Sequence, residues 1–346
     1  MRPRVAVVGT GYWGLSHVRA FAAQPGCELA WVCDRDSQAL ARAMAVARGA
    51  RATTDVEALF ASHDIDAVVL ATPAVTHADL ACAALSRGLH VLVEKPLALS
   101  VADATRVADA AARAGTVVMV GHLMLYHPAV VELRRLVSSG ELGSLYYLSS
   151  VRTNLGRLRS DENALWSFGP HDLSMLDYLV PGEPTTITAR GESYLQPGIA
   201  DVVFVNIELQ PHGGPRPVMA QIHLSWLNPR KERRLTVVGA KKMVEFDDCA
   251  AEKLRIYDRG YDRPPEFADF AEYLTLRNGD IFLPDVPMEE PLAAEARHFL
   301  ECIATGGAPL SDVASGLRVV RLLASAQTSL ERAGCPVSLD DVKTGT

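Results

Sequence analysis

The first 122 residues alternate short apolar runs with helical patterns, and this alternation constrains the fold more than any other feature of the chain. The apolar runs are continuous, as expected for parallel strands that helices cover on both faces. A repeated strand, helix, strand order favours a doubly wound parallel sheet. The predicted strands are Val5–Val8, Leu29–Cys33, Ala67–Leu70, His90–Val93 and Val117–Val120, and the predicted helices are Leu15–Ala23, Ser37–Ala47, Val75–Arg87 and Val101–Ala114.

Beyond Gly121 the pattern changes to longer segments typical of an antiparallel meander. The 346 residues suit about two domains, so we expect an α/β chain with one domain at 1–122 and a second, α+β domain at 123–346 that holds a large, mainly antiparallel open sheet. The predicted elements of the second part are helices near Pro128–Val137, Pro291–Ala304 and Val313–Ala333, and strands Leu145–Thr153, Thr186–Tyr194, Val202–Leu209, Val218–Trp226, Leu235–Val238 and Met243–Phe246.

A glycine motif links the first predicted strand to the first predicted helix: Gly9-Thr10-Gly11-Tyr12-Trp13-Gly14. In this context the first glycine allows a tight turn, the second lets a pyrophosphate approach the backbone, and the third permits close packing of helix on strand. The alternative is a glycine-rich turn that binds nothing. The matched strand and helix favour a dinucleotide-binding Rossmann domain at 1–122.

An acidic residue ends the second predicted strand, because Asp34 follows Gly14 by 20 positions. A carboxylate there can accept hydrogen bonds from the ribose hydroxyls of adenosine and would repel a 2′-phosphate, which favours NAD over NADP. Arg35 works against this preference, since a guanidinium can stack on adenine or tolerate a phosphate. We therefore expect NAD, with NADP as the less favoured cofactor.

Two further segments follow predicted strands, at the edge where open α/β sheets bind ligands. The first contains Thr72, Pro73 and His77, and the second is Glu94-Lys95-Pro96. The first segment fits a plain strand-to-helix turn equally well, and Glu94 with Lys95 also fits a solvated pair. A lysine fixed by a following proline at the mouth of the sheet is nevertheless well placed to meet a substrate and a nicotinamide together.

The segment 166–173 supplies a second candidate for chemistry. It is predicted to be a loop that enters a helix, with Pro170 in the first turn and Asp172 placed to favour the positive helix end. In one interpretation His171 and Asp172 are ordinary residues of a helix start. In the other, neutral His171 accepts a hydroxyl proton while hydride leaves the same carbon, because imidazole titrates near neutrality.

Together these motifs resemble the Gfo/Idh/MocA family of oxidoreductases. The resemblance implies a Rossmann domain joined to an α/β domain with a large open sheet, and hydride transfer between a nicotinamide cofactor and hydroxyls of sugars, cyclitols or related compounds. It also implies that Pro96 follows a cis peptide. The residues that carry it are the glycine motif, Asp34, Ala71-Thr72-Pro73 with His77, Glu94-Lys95-Pro96, Val120-Gly121-His122 with Tyr126 and Pro128, and Gly169-Pro170-His171-Asp172.

The resemblance implies roles for individual residues. Lys95 and His171 are the expected catalytic residues, with Lys95 near both the nicotinamide and the reacting hydroxyl. The expected cofactor contacts are Gly9, Gly11, Tyr12, Trp13, Gly14, Asp34, Arg35, Thr72, Pro73, His77, Glu94, Lys95 and Pro96, and the expected substrate contacts are Lys95, His122, Tyr126, Arg152, Asn154, Arg157, His171 and Asp172.

One position departs from the family's cyclitol dehydrogenases, which typically carry an aspartate four residues before this histidine, where the chain has Ser167. Loss of that carboxylate removes a charge that raises the basicity of the histidine, so inositol is a less favoured substrate. The segment 154–166 is instead similar to family members of nucleotide-sugar pathways. We therefore expect an NAD-dependent dehydrogenase of a sugar hydroxyl, on a nucleotide-linked sugar; the alternatives are a cyclitol or free-sugar dehydrogenase, an NADPH-dependent keto-sugar reductase and a non-catalytic dinucleotide-sensing regulator.

Three arginines lie close together before the histidine segment: Arg152, Arg157 and Arg159. Arginine forks suit carboxylate or phosphate groups, which free inositol lacks. The alternative is that these arginines are solvated or pair with Asp161 and Glu162.

Composition excludes several classes of partner. With 34 basic and 41 acidic residues the formal charge is −7, which argues against binding of nucleic acid through overall charge. No two of the six cysteines have C-x-x-C spacing, and His223, His298 and the other histidines form no metal-ligand spacing in the sequence. We expect no metal, no signal peptide, no membrane partner, a reducing cytoplasmic setting, and a homodimer or homotetramer formed through the second sheet.

Overall fold

The computed structural model describes residues 2–156, 158–214, 216–262 and 274–339. The chain divides into two compact units. The first consists of Met1–His127 with Glu289–Arg321, and the second of Pro128–Met288 with Leu322–Thr346.

The first unit contains a six-stranded sheet in which every strand pairing is parallel. The strand order is β3-β2-β1-β4-β5-β6, so the order reverses between the neighbours β1 and β4, which is where doubly wound sheets bind ligands. The predicted parallel sheet is confirmed. Its elements are β1 (Arg4–Val8), α1 (Tyr12–Ala23), β2 (Glu28–Cys33), α2 (Ser37–Met44), β3 (Arg51–Thr53), α3 (Val56–Ala61), β4 (Ala67–Leu70), α4 (His77–Ser86), β5 (His90–Glu94), α5 (Val101–Ala114) and β6 (Val118–Gly121).

The sequence pattern explains these elements. All four residues of β4 are buried, as a strand covered on both faces requires. Helix α5 begins after Ser100, whose hydroxyl accepts a hydrogen bond from the Asp103 N–H, and ends at Gly115 with φ 64°. The sequence did not predict β3 and α3, because an edge strand of three residues and a single short helix carry too little periodicity.

The second unit holds a nine-stranded sheet with the order β14-β13-β12-β11-β7-β10-β9-β8-β15. Along β9, buried and exposed residues alternate, so one face of the sheet is covered and the other is open. The remaining elements of the chain are α6 (Pro128–Ser138), β7 (Leu145–Thr153), α7 (Ala164–Leu179), β8 (Gly182–Glu192), β9 (Val202–Pro211), β10 (Val218–Ser225), β11 (Glu232–Gly239), β12 (Met243–Asp247), β13 (Leu254–Asp262), β14 (Thr275–Phe282), α8 (Pro291–Thr305), α9 (Val313–Glu331) and β15 (Val337–Ser338).

This sheet is mixed and mostly antiparallel, so a plain antiparallel meander was too simple a prediction. Strand β7 lies between β10 and β11 and pairs with β10 in parallel. The helix α7 separates β7 from β8 in the chain, which lets the chain return to the sheet several strands away. The sequence also did not predict β13, β14 and β15; the eight residues of β14 are mostly exposed on both faces, which removes the alternation that marks a strand.

Helix α8 belongs to the first unit, whereas the sequence placed it in a domain at 123–346. The Phe21 and Phe299 rings meet edge to face with centroids 6.4 Å apart, which packs α8 on α1. The Gln24 side chain also donates to the Ala293 carbonyl at 3.0 Å. In the part of the chain that the structure describes, no helix combines the length and apolar character needed to cross a membrane.

Candidate active site

The glycine motif forms the turn between β1 and α1, and the three glycines differ in what a Cβ atom would meet at each position. Gly9 has φ +85°, and a Cβ there would lie 2.7 Å from the Ala71 carbonyl carbon. A Cβ on Gly14 would lie 1.8 Å from the Gly9 carbonyl oxygen. A Cβ on Gly11 would meet nothing within 4 Å, so the backbone at the second glycine faces open space, as an approaching pyrophosphate requires.

The start of α1 offers backbone donors to an anion. Gly11 is the N-cap residue, and no side chain caps the helix there. The first N–H groups of a helix lack partners within the helix and lie at its positive end, which favours a phosphate. Tyr12 is 94% exposed at the first helical position. The turn and the uncapped helix start together fit a dinucleotide cofactor.

Asp34 follows β2 and is already engaged by the turn. Its Oδ2 accepts from the Thr10 N–H at 2.6 Å and from the Thr10 hydroxyl at 3.0 Å, while Oδ1 accepts from the Asp36 N–H at 2.9 Å. Because each carboxylate oxygen has two lone pairs, Oδ1 retains capacity for a ribose hydroxyl. Asp34 therefore braces the glycine turn, a role that the sequence did not predict, and Arg35 next to it is exposed.

The turn after β4 is held by its own side chains. The Thr72 and Thr76 hydroxyls are 2.7 Å apart, and the Thr76 hydroxyl also donates to the Pro73 carbonyl at 2.8 Å. His77 is buried, and its Nδ1 and Nε2 lie 2.8 Å from the Pro96 oxygen and 2.9 Å from the Thr72 oxygen. Burial lowers the pKa of His77. This imidazole joins the turn to the segment after β5, and its direct contact with a cofactor stays a prediction.

Strand β5 ends in Glu94, and the Lys95–Pro96 peptide bond that follows is cis, as the resemblance implied. The Glu94 carboxylate is buried and accepts three hydrogen bonds: from the Trp13 indole N–H, from His17 Nε2 at 2.6 Å and from the Lys95 N–H at 3.1 Å. A solvated Glu94–Lys95 pair, one of the two sequence interpretations, does not describe this arrangement. Glu94 instead ties the backbone of Lys95 to α1.

Two further predicted contacts lie at the end of β6. His122 is buried directly after that strand. Tyr126 is also buried, and its hydroxyl lies 3.0 Å from the Ser311 hydroxyl and donates to the Met119 sulfur at 3.6 Å. Burial raises the pKa of Tyr126. The Tyr126 hydroxyl is therefore occupied within the first unit, and its contact with substrate stays a prediction.

His171 lies in the middle of helix α7, so the prediction that it stands at a helix start is wrong. The helix begins at Ala164, and the Asn163 side chain caps it by accepting from the Trp166 N–H at 3.1 Å. Pro170 consequently lies inside the helix and not in its first turn. His171 is half-buried, and Ser167 lies one helical turn before it on the same face.

Asp172 does not act at the helix N-terminus as predicted, because it forms a buried ion pair. Its Oδ2 accepts from Arg152 Nε at 2.7 Å, and its Oδ1 accepts from Arg152 Nη2 at 3.3 Å and from the Ser150 hydroxyl at 2.7 Å. Arg152 and Asp172 are both buried. The pair joins β7 to the residue that follows His171, so Arg152 is paired with Asp172 and not with Asp161 or Glu162. The contact of Arg152 with substrate stays a prediction.

The remaining predicted substrate contacts follow the end of β7. The Asn154 N–H donates to the Ser225 carbonyl at 3.0 Å, which fixes the chain as it leaves the sheet. Arg159 forms an ion pair with Glu162 at 2.9 Å, one of the two partners that the sequence suggested. Arg157 lies outside the described residues.

Sequence reasoning overlooked two residues of the first unit, His17 and Glu295. Together with Glu94 they bring one ligand-type atom each to within 4.8 Å of one another, a grouping that a metal ion could occupy. His17 lies three positions beyond Gly14, but no spacing links it to Glu94 or Glu295. The expectation that the protein uses no metal stays a prediction.

The fold and the glycine turn define a dinucleotide-binding oxidoreductase architecture, and comparison with family models names the family. Residues 3–122 match the oxidoreductase family with an NAD-binding Rossmann fold, and residues 130–245 match the GFO/IDH/MocA C-terminal domain. The chain belongs to the Gfo/Idh/MocA family of oxidoreductases.

Three relatives illustrate what the chain is similar to. An inositol 2-dehydrogenase of Saccharopolyspora erythraea is 33% identical over 61% of this chain and 64% of its own length, so the match spans less than two thirds of that relative. UDP-N-acetylglucosamine 3-dehydrogenase of Acidithiobacillus ferrooxidans is 27% identical over 95% of this chain and 97% of its own length. Its solved structure superposes with a TM-score of 0.80 at 26% identity, covering 96% of this chain and 99% of that one. A putative oxidoreductase structure from Magnetospirillum magnetotacticum gives a TM-score of 0.78 at 30% identity, covering 94% and 99%.

Proposed function

We propose that the protein is an NAD-dependent dehydrogenase that oxidises a secondary hydroxyl of a sugar, one carried on a nucleotide. The observation that carries the proposal is the arrangement of residues at the ligand-binding edge of the parallel sheet. There an uncapped helix start follows a glycine turn with open space at Gly11, and the buried Glu94 accepts a hydrogen bond from the Lys95 N–H at the end of β5, two strands away from β1.

We assign each proton-transfer and charge-stabilising step of the proposed reaction to one residue. His171 accepts the proton of the hydroxyl, because a neutral imidazole is a competent base near neutral pH. The ammonium of Lys95 stabilises the alkoxide that develops on the same oxygen and holds the nearby ribose. Bound NAD supplies the hydride acceptor. The proposal requires that His171 and Lys95 reach the same substrate.

The buried pair of Arg152 and Asp172 supports a base at His171. The ion pair fixes α7 against β7 at the neighbouring residue and thus restricts the position of the imidazole. A catalytic group stabilises the transition state most when the protein holds it in position before the reaction begins. In this proposal Asp172 positions His171 through its ion pair with Arg152, and it also contacts the substrate.

One observation favours a nucleotide-linked sugar over inositol: Ser167 stands where cyclitol dehydrogenases of the family typically carry an aspartate. The UDP-N-acetylglucosamine 3-dehydrogenase, which aligns along 95% of this chain, is a relative that acts on a nucleotide sugar. The substrate of the relative is not thereby the substrate of this chain, and the alternatives remain a cyclitol, a free sugar, or a keto-sugar reduced with NADPH.

A substrate screen tests the proposal directly. Purified protein is incubated with NAD or NADP and a panel of nucleotide sugars, aldoses and cyclitols, and formation of reduced nicotinamide is followed by absorbance. We expect turnover with a nucleotide sugar and NAD. Turnover confined to cyclitols would contradict the substrate class, while tight NAD binding without turnover on any compound would support the non-catalytic regulator.

Cofactor choice gives a prediction that separates two functions of Asp34. Asp34→Asn keeps an oxygen that can accept from Thr10 but loses the charge that repels a 2′-phosphate. We expect the ratio of the NADP to the NAD dissociation constant to fall about tenfold, as the loss of one charged interaction implies. Isothermal titration with both cofactors measures the ratio.

Asp34→Ala is the matched comparison, because it removes both the charge and the brace on Thr10. We expect it to weaken NAD binding more than Asp34→Asn does. Equal NAD affinity in the two variants would show that the brace contributes nothing to binding, and an unchanged cofactor ratio in Asp34→Asn would contradict the proposed selection of NAD.

The open face of the second sheet supports association of the chain with itself. Phe204, Met219 and Tyr147 are 43%, 60% and 47% exposed on three neighbouring strands. Exposed apolar area of this kind marks interfaces. We propose a homodimer or homotetramer through this face and expect size-exclusion chromatography with light scattering to give at least twice the 37.3 kDa chain mass.

Met219→Glu places a charge in the proposed interface and is expected to shift the mass towards the monomer, whereas Leu276→Glu on β14 is the control at an exposed apolar residue far along the sheet order. A wild-type chain that is monomeric at micromolar concentration would exclude this assembly.

The cellular compartment is a separate proposal. All six cysteines are free thiols, which supports a reducing, cytoplasmic setting.

A further inference from the structure

Three buried titratable side chains of the first unit meet next to the glycine turn. His17 comes from α1, Glu94 from the end of β5 and Glu295 from α8, and each is less than a tenth exposed. Their nearest ligand-type atoms lie within 4.8 Å of one another. The proposed reaction uses none of these three side chains directly. Two carboxyl groups buried this close together would repel each other if both were ionised, so their protonation states need an explanation.

The two carboxyl groups have opposite surroundings. Burial alone would raise the pKa of Glu94, but the hydrogen bond and attraction of His17, the Trp13 indole and the charge of Lys95 together lower it. Glu295 has no such donors: both of its oxygens are buried without a hydrogen-bond partner among the described residues. Burial, and then the negative charge of Glu94, raise the pKa of Glu295 well above its usual value.

A proton on Glu295 accounts for this cluster better than a cation does. Three N–H groups, from Trp13, His17 and Lys95, already point at the Glu94 carboxylate. A divalent cation bound there would face these donors and the positive charge of Lys95, and binding would require His17 to give up its hydrogen bond. A proton on Glu295 removes the second negative charge and leaves every donor in place.

We propose that Glu295 is a neutral carboxylic acid at physiological pH and, with His17, forms the support that keeps Glu94 ionised and in position to hold Lys95. Glu94 and Glu295 are thus positioning residues that act through Lys95. This inference rests on the proposed function of Lys95. Gly121 belongs to the same arrangement, because a Cβ there would lie 3.0 Å from the Glu94 carboxyl carbon and would displace it.

The charged and titratable groups around Glu295 come from each element packed on α8. Helix α1 contributes His17, strand β5 contributes Glu94 with Lys95 after it, and the turn Leu123–Tyr126 contributes Tyr126, whose pKa is raised by burial. None of these is a cation in contact with the Glu295 oxygens. Burial and the charge of Glu94 therefore favour a neutral Glu295.

Stability as a function of pH tests the protonation of Glu295 without any assay of activity. The unfolded chain releases this proton above the usual glutamate pKa, whereas the folded chain retains it, so the wild-type protein is destabilised as pH rises from about 5 towards the folded-state pKa. Glu295→Gln replaces the acid with a neutral isostere. We expect the ratio of the folding equilibrium constants, variant over wild type, to grow up to tenfold per pH unit, measured by urea unfolding.

Glu301→Gln is the matched control, since it makes the same change at an exposed position of the same helix. Its ratio to wild type should stay flat over this range. A flat ratio for Glu295→Gln as well would overturn the proposal, and so would one bound metal ion per chain in the purified wild-type protein that Glu295→Gln loses. Infrared spectra give an independent readout: the carbonyl stretch of a protonated carboxyl group should disappear in Glu295→Gln.

Kinetics test the link to Lys95. At saturating NAD we expect Glu295→Gln to keep kcat within about threefold of wild type, because its amide is neutral and nearly the same size as the acid. Glu94→Gln and Glu295→Ala should lower kcat about tenfold or more through misplacement of Lys95. Equal losses in Glu295→Gln and Glu295→Ala would contradict a support by a neutral side chain of this size.

The two proposals fail separately. If Lys95→Ala retains wild-type turnover, the proposed function of Lys95 is wrong while the pH dependence of stability still reports on Glu295. If the stability ratio is flat but Lys95→Ala is inactive, the proposed function stands and the protonated Glu295 is excluded.

Discussion

His171→Ala is expected to lower kcat by about 10²- to 10⁴-fold while NAD binding remains within about threefold of wild type, because the change removes a general base and leaves the cofactor-binding turn intact. His171 lies inside α7, where an alanine is compatible with the helix. Steady-state kinetics on the substrate found in the screen, together with NAD titration, measures both quantities.

The control for this change is His212→Ala in the hairpin between β9 and β10, where the imidazole is 69% exposed. We expect that variant to keep wild-type kcat. The pH profile adds a second readout: the wild-type kcat/KM should fall at low pH as a base becomes protonated, and this limb should be absent from the residual activity of His171→Ala. Wild-type turnover in His171→Ala would exclude it as the base.

The second large effect is expected at Lys95. Lys95→Ala should lower kcat by about 10²- to 10³-fold, the loss typical of one group that stabilises a developing negative charge. Lys95→Met keeps the length of the side chain but not its charge, so we expect a similar loss. NAD should still bind to both variants, because the helix start and Asp34 are unchanged.

Lys241→Ala, at the exposed turn between β11 and β12, is the matched control and should retain full activity. If Lys95→Met were as active as wild type, the charge of Lys95 would have no part in the reaction. If His171 and Lys95 act on one transition state, the double variant Lys95→Ala/His171→Ala should also lose much less than the product of the two single losses.

Much of the first unit was predictable because its signals are local. Continuous apolar runs predict buried parallel strands, and Gly9, Gly11 and Gly14 predict a tight turn at a helix start, since the whole motif lies within six residues between a strand and a helix. The order of these elements, together with Asp34 and Lys95 after their strands, indicates a dinucleotide site from the sequence alone.

The second unit was less predictable. The pattern predicted most strands but not the parallel pairing of β7 with β10, because strand pairing is a property of the sheet and not of the segment. Pro170 suggested a helix start, since proline favours the first turn. The structure begins α7 at Ala164 instead, where Asn163 caps the helix and the packing of its buried face outweighs the hydrogen bond that Pro170 cannot make.

The class of fold and the residue types at the cofactor edge follow from the amino-acid sequence, because these depend on periodicity and on short motifs. Which ionisable side chains meet depends on the tertiary structure. Arg152 faces Asp172 across 20 residues, and Glu295 comes to Glu94 from 201 residues away. No spacing rule connects such residues, since burial selects partners by the free energy of removing charge from water, a quantity set by the packed surroundings and not by position along the chain.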